Sequence, residues 1–166
     1  IMLGLAKNGD YESLKEYLES LVDDDNKVWG ETRYCENNTV NMILTMYKRR
    51  ASQNGISVKI SAKVSGSLAV PPQDLVVVIA NLFENAINEV SNLKSKEGYI
   101  DIQIKDSPER LLIKIDNPCR ENLTFDENLY GIGIRSVIST TSKYEGMYDF
   151  TSEDGVFSAK IILNLR

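Results

Sequence analysis

Histidine is missing from all 166 residues, and cysteine is nearly so, with Cys35 and Cys119 its two occurrences. Without an imidazole there is no Ser-His-Asp or Cys-His machinery. Without histidine or a thiol cluster there is no zinc ligand set. Neither cysteine falls in a CxxC, a usage that suits bland buried thiols in a reducing compartment. No apolar run approaches the roughly 20 residues that span a bilayer. The opening IMLGLAKNGD has no basic leading region and meets Gly9-Asp10 too early for a secretory signal. It begins with Ile, so the chain is expected to be a piece of a longer protein. An excess of basic charge is also lacking: Lys and Arg total 19 against 24 Asp and Glu, a net charge of −5. That balance gives no electrostatic reason to expect nucleic acid or an anionic membrane as partner.

What is present is an ordinary globular composition, 42% hydrophobic and 26% charged. Residues 1–21 read as a helix interrupted near Gly9-Asp10, with Leu14, Leu18 and Leu21 on one stripe. Asp23-Asp24-Asp25-Asn26 ends it as a solvated link. A helix is expected from about Thr39 to Asn54, capped by Asn38 or Thr39, with Val40, Ile43, Leu44, Tyr47 and Ala51 sharing a face and Gly55 ending it. Ile56, Val58, Ile60, Ala62 and Val64 alternate as in a half-buried strand. Pro71-Pro72 opens the longest helix, to about Leu93. Strands follow over Tyr99–Lys105 and Arg110–Ile115, turned at Ser107-Pro108-Glu109. Residues 117–130 have no periodicity and read as a loop. A helix begins near Gly133 and ends before Gly146. Two last strands, Met147–Thr151 and Val156–Leu163, join at Glu153-Asp154-Gly155. Hairpin-joined strands with helices in separate runs predict an α+β fold, a mixed, mostly antiparallel sheet covered by helices on one face.

Three stretches carry chemistry. In Asn81-Leu-Phe-Glu-Asn-Ala-Ile-Asn-Glu89, three asparagines fall at i, i+4 and i+7, flanked by Glu84 and Glu89. Asparagine is a poor helix-interior residue because its side chain competes with the backbone for hydrogen bonds. Carboxamide and carboxylate oxygens, however, are hard ligands suited to Mg²⁺ held together with phosphates. Leu111-Leu-Ile-Lys-Ile-Asp-Asn-Pro118 delivers Asp116-Asn117 at the end of a strand, where a polar side chain can read a base edge. Tyr130-Gly-Ile-Gly-Ile-Arg-Ser-Val137 puts Gly-x-Gly ahead of an apolar helix, where close backbone approach and exposed amides suit phosphate. Singly, these are also ordinary features: a wet helix face, a turn, a helix start.

Their order, Asn-rich helix, strand-end Asp-Asn, long loop, Gly-x-Gly helix, resembles the N-box, G1 box, ATP lid and G2 box of the GHKL (Bergerat-fold) superfamily of ATPases and kinases. The resemblance covers about residues 34–166. Within the superfamily, Cys35-Glu-Asn-Asn-Thr-Val-Asn-Met-Ile-Leu44 with Lys48 and Gly55-Ile56, and Leu5-Ala-Lys-Asn-Gly-Asp-Tyr-Glu-Ser-Leu-Lys-Glu-Tyr-Leu18, look like the peptide-pheromone (quorum-sensing) receptor histidine kinases. The resemblance implies a two-layer α/β sandwich over residues 26–166, and over 1–25 the end of a dimerising, phosphoacceptor helical hairpin whose phosphorylated His lies just upstream.

By the same resemblance, Asn85 holds Mg²⁺ and Asn81 sits near the phosphates. In gyrase-like branches the position of Asn81 carries a Glu that activates water. An amide cannot be a general base, which favours transfer to a protein over hydrolysis. Asn117 aligns with the G1 Asp that reads adenine, and Cys119 stands where a Gly is usual; Asp116 remains the alternative reader. Gly131 and Gly133 match the G2 glycines, so Ile132, Ile134 and Arg135 fall in the ATP-binding stretch, and Arg135 and Ser136 either face phosphate or lie on the surface. Glu84 and Asn88 complete the expected ATP-binding set on the Asn-rich helix. No catalytic residue is expected in the chain itself. The implied function is the Mg-ATP-binding catalytic domain of a bacterial two-component sensor histidine kinase, cytoplasmic and part of a membrane-anchored receptor. Its implied partners are a phosphoacceptor His helix, a response regulator and, in the full protein, a second copy. The alternative is an anti-sigma-like regulatory domain that grips a protein partner with the same fold. Residues 117–130 are expected to close over the nucleotide.

Overall fold

The computed structural model describes residues 32–93, 98–120 and 130–165. The expected helix over 1–21 and most of the expected lid, 121–129, lie outside the described residues.

The first described helix, α1, spans Asn38–Gln53. Its cap is Asn37, one residue before the expected pair, because the Asn37 carboxamide accepts the amide hydrogen of Val40 at 3.0 Å. The Asn38 carboxamide is occupied instead by Arg33. The expected stripe of Val40, Ile43, Leu44, Tyr47 and Ala51 is the buried face. Strand β1, Ser57–Lys63, alternates as expected. Helix α2, Pro72–Asn92, starts with a proline in its first turn, where a missing amide hydrogen costs nothing.

Strands β2, Tyr99–Asp106, and β3, Arg110–Pro118, form the first hairpin. Helix α3 is Ile132–Lys143. Strands β4, Met147–Glu153, and β5, Val156–Asn164, form the second hairpin. Its turn places Asp154 and Gly155 both at positive φ, 50° and 74°. That combination matches the twist of the flanking strands and explains the Asp-Gly pair.

The sheet order is β1-β2-β3-β5-β4. β1 and β2 are parallel, and every other pair is antiparallel. Ile100, Ile102, Ile104, Leu111, Ile113, Ile115, Ala159, Ile161 and Leu163 fill the covered face. Lys59, Asp101, Lys114, Asp116 and Lys160 stand on the other. This is the α+β two-layer arrangement that the hairpins and separate helices predict. The core is continuous from α1 through α2 to the strands, with Phe83 fully buried and stacked on Tyr47 at 5.2 Å between centroids.

One element differs where it matters. β3 continues to Pro118, three residues past the expected end, because β5 supplies partners out to Phe157 for Asn117 and Val156 for Pro118. Asn117 is therefore inside a ladder, not in the loop. A proline at the last strand position removes no bond the sheet needs.

Candidate functional site

Helix α2 organises the site. Residues 74–83 are buried without interruption, whereas Glu84, Asn85 and Glu89 are half-buried and Asn88 is exposed. The change follows from what covers the helix. Helix α3 runs antiparallel to it: near the C-terminus of α3, Lys143 and Tyr144 bond Asp74 in the first turn of α2, at 3.2 and 2.7 Å. The N-terminus of α3 meets α2 at Asn81. α3 thus covers only the first half of α2 and ends in mid-helix, beside the first residue of the asparagine series.

At that point Asn81 is 4% exposed. Its Nδ2 donates to the Val77 carbonyl at 2.6 Å, one turn back, so the competition that makes asparagine a weak helix former is turned into a fixed side-chain orientation. Its Oδ1 lies 2.8 Å from where a Cβ on Gly133 would stand, a separation real Cβ atoms do not show. The Asn-rich helix and the Gly-x-Gly helix are therefore in direct contact, and the second glycine is needed for that contact. The wet helix face that one could read into the three asparagines exists only at Asn88.

Gly131 is the N-cap of α3, and no side chain caps that end. The first intrahelical bond is from the Arg135 amide to the Gly131 carbonyl at 3.1 Å. The amides of Ile132, Gly133 and Ile134 precede it, so they have no helical acceptor and suit an anion. Ile134 is buried and anchors the turn, whereas Ile132 is 77% exposed. Arg135 is exposed on the same turn, and the Ser136 hydroxyl is directed to the Ile132 carbonyl at 2.8 Å.

Glu84 goes elsewhere. Its Oε1 accepts from the Tyr47 hydroxyl at 3.0 Å and pairs with the Arg50 guanidinium, both on α1. The i, i+4 ridge that leaves Asn81 is Asn81, Asn85, Glu89, while Asn88 shares the neighbouring ridge with Glu84.

The two candidate base readers separate by the alternation of β3. Asn117 continues the row Leu111, Ile113, Ile115 on the helix-covered face and is fully buried. Its Nδ2 donates to the Pro118 carbonyl at 2.9 Å, and its Oδ1 is buried without a partner. Asp116 points to the uncovered face, where Lys114 reaches its Oδ2 at 2.7 Å. Beside Asn117 on the covered face lies an aromatic group: Phe157, its register partner, stacks with Phe150 at 6.3 Å, and Tyr130 meets Phe150 edge-on at 5.7 Å. The Cys119 thiol, in the usual Gly position, is buried 3.2 Å from the Ser152 hydroxyl. Burial pushes the pKa of the other thiol, Cys35, up by desolvation, against the smaller lowering effect of its backbone bond with Asn37.

Two residues that sequence reasoning left out of the site acquire a place in it. Asp74 ties the two helices together, a role that only the tertiary fold creates. Glu89 has a buried Oε1 without a hydrogen-bond partner; its spacing of four from Asn85 was visible in the sequence.

A model of the GHKL domain matches residues 70–164. The chain belongs to the GHKL domain family. The GHKL match begins just ahead of α2 and runs through β5, so it spans all three motif stretches. A curated relative, the probable C4-dicarboxylate sensor kinase of Bacillus subtilis (strain 168), is 30% identical over 152 residues. Those residues are 87% of this chain but 28% of the length of that protein. Among solved structures, the Acinetobacter baumannii histidine kinase AdeS superposes with a TM-score of 0.62 at 16% identity, covering 77% of this chain and 64% of that one. The catalytic domain of histidine kinase ThkA superposes with a TM-score of 0.59 at 13% identity, covering 76% and 90%. At these identities the structures speak for the fold of the GHKL domain alone.

Proposed function

We propose that this GHKL domain binds Mg-ATP and presents the γ-phosphate to a histidine outside the 166 residues, as the catalytic part of a two-component sensor histidine kinase. The observation that carries the reading is the Asn81–Gly133 contact: a buried, back-bonded carboxamide seated against the N-terminus of α3, with Asn85 one turn on at the uncovered edge. In this reading the amides of residues 132–134 hold phosphate oxygens, with Gly131 and Gly133 permitting the close approach. Arg135 lies within a turn of the same oxygens. The Asn117 Oδ1 reads the base, and Asp116, on the other face of the sheet, does not. Glu84, held by Tyr47 and Arg50, braces α1 against α2 and contributes indirectly.

Magnesium fits the donor set. A carboxamide oxygen is a hard, neutral ligand, and Mg²⁺ characteristically takes one or two protein oxygens together with substrate phosphates. Asn85 would hold it, and the ion would supply charge neutralisation between phosphate groups. The chain's own residues bind and orient: the carboxamide of Asn81, beside the amides proposed to hold phosphate, cannot be a general base, so the domain positions a phosphoryl donor rather than activating water. The sensor-kinase relative supports a protein acceptor. With no histidine present, the acceptor belongs to another segment, which the reading places on a helical hairpin ending in residues 1–25. A response regulator and a second copy of the kinase are the corresponding partners, and the cytoplasmic side of an anchored receptor the corresponding place. No helix among the described residues is long and apolar enough to cross a membrane.

Calorimetry of the chain with a non-hydrolysable ATP analogue is the test. Binding should require Mg²⁺ and be abolished in Asn85→Ala, with an unchanged circular dichroism spectrum. Affinity that is the same with and without Mg²⁺, or unaltered in a folded Asn85→Ala, refutes the metal assignment. Incubated with labelled ATP, the chain alone should form no acid-labile phosphate.

A further inference from the structure

Among the described residues four buried side-chain oxygens lack a hydrogen-bond partner: on Asp101, Asp116, Asn117 and Glu89. Asp101 and Asp116 are register partners on the uncovered face, each with its other oxygen engaged by a lysine. The remaining two, Asn117 Oδ1 and Glu89 Oε1, belong to the covered side. Leaving a buried acceptor unpaired is costly, so two on one side of the sheet call for a ligand.

Both oxygens lie at the same end of the molecule. The last turns of α2 reach the start of β2, since a Cβ on Gly98 would stand 2.4 Å from Val90 Cγ1. The start of β2 pairs with the end of β3, Asp101 opposite Asp116, one residue before Asn117. Around α2, Glu89 lies about 80° from Asn81, at the end of the Asn81–Asn85 ridge and next to the buried apolar ridge of Leu82, Ala86 and Val90. The N-terminus of α3 has already ended at Asn81, so this stretch of α2 is the part that α3 leaves uncovered.

We infer that Glu89 is a second base-reading residue, and that the Asn117 and Glu89 oxygens accept the two hydrogens of one exocyclic amino group on the bound base. The bond from Asn117 Nδ2 to the Pro118 carbonyl keeps the amide oxygen, not its NH₂, available for this. Two acceptors and no donor select an amino-bearing purine and reject a base presenting a carbonyl there, because a carbonyl would leave three acceptors facing one another. The inference rests on the nucleotide reading above and adds its specificity.

The test is calorimetry of the chain with Mg²⁺ and the non-hydrolysable triphosphates of adenosine, purine riboside (no amino group) and N6,N6-dimethyladenosine. The adenosine form should bind at least about tenfold more tightly than either of the others. Glu89→Ala should weaken the adenosine form about tenfold and leave the purine riboside form unchanged, and Glu89→Gln, which keeps an oxygen, should recover part of the loss. Equal binding of adenosine and purine riboside forms by the unaltered chain overturns the inference while the nucleotide reading stands. Equal weakening of both by Glu89→Ala also overturns it, showing a structural role. Failure of all three to bind removes the nucleotide reading and this inference together.

Discussion

The two halves of helix α2 differ in composition and in fate: eight of the ten residues from Asp74 to Phe83 are apolar, against three of the nine from Glu84 to Asn92. From Asp74 to Phe83 every residue is buried, Asn81 included; from Glu84 to Asn92 burial falls back to one side of the helix. The first half is wedged among α1, α3 and the sheet, and it behaves as core. The second is covered by α1 and the sheet only, so its remaining polar ridge faces the space beyond the end of α3. An open polar edge is thus made by stopping a neighbouring helix halfway along. The buried half holds the asparagine at the boundary, and the same continuous backbone sets the positions of Asn85 and Glu89.

The comparison breaks if the buried half is not the stable one. Phe83→Ala removes a fully buried ring stacked on Tyr47 and should cost about 3–5 kcal/mol, read as a lower urea midpoint. A loss below about 1 kcal/mol would mean that α2 is not held as described.

Gly133→Ala probes the boundary. The added Cβ would press on Asn81 Oδ1, and that side chain is fixed by its bond to Val77. We expect a stability loss of about 1–3 kcal/mol from the forced shift, together with at least tenfold weaker binding of the ATP analogue. Weaker binding without any stability change would place the glycine against the ligand alone.

Tyr144 sharpens the buried half from its far end. Desolvation first, and then its bond to the Asp74 carboxylate, raises the Tyr144 pKa above the ordinary tyrosine value. The folded state therefore holds this proton more tightly than the unfolded state. The associated stability is complete below pH ~10, the unfolded value, and is lost as pH rises above it toward the folded pKa. Tyr144→Phe should cost about 1 kcal/mol at neutral pH and flatten the decline in stability measured by denaturant titration between about pH 9 and 11. An unchanged alkaline slope would assign that decline to other groups.

The smallest effect belongs to Ile132. Exposed on the first turn of α3, it should tolerate Ile132→Ser within about 0.5 kcal/mol. A larger shift in the melting temperature would mean that this side chain is covered in the chain as it exists in solution.

Much of this was written in the order of residues. Period-2 and period-3.6 patterns located all eight described elements, and the Asp-Gly turn was readable as chemistry. Alternation along β3 even carried which of the two polar side chains lies on the helix-covered face. Leu111, Ile113 and Ile115 set a face that Asn117 shares and Asp116 does not, but Asp-Asn-Pro reads as a turn, so the sequence alone ends the strand at Ile115. Only pairing with β5 extends it. The asparagine series was likewise visible, but not its surroundings: Asn81 is buried, Asn85 half-buried and Asn88 exposed, and Glu89, four residues beyond Asn85, is half-buried. A helix taken alone has no marked face on which to choose between neighbouring ridges.

What the sequence by itself determined is the local layer: which segments are helix or strand, which side of each is apolar, and which polar residues stand at costly positions. Those follow from backbone sterics and side-chain periodicity, and they act within a few residues. Where α3 stops against α2, which oxygens are left buried without partners, and that Glu84 is spent on Tyr47 and Arg50 were decided by tertiary structure alone. Each depends on the volume and hydrogen-bonding groups of residues tens of positions away, brought within a few ångströms by burial of the common core.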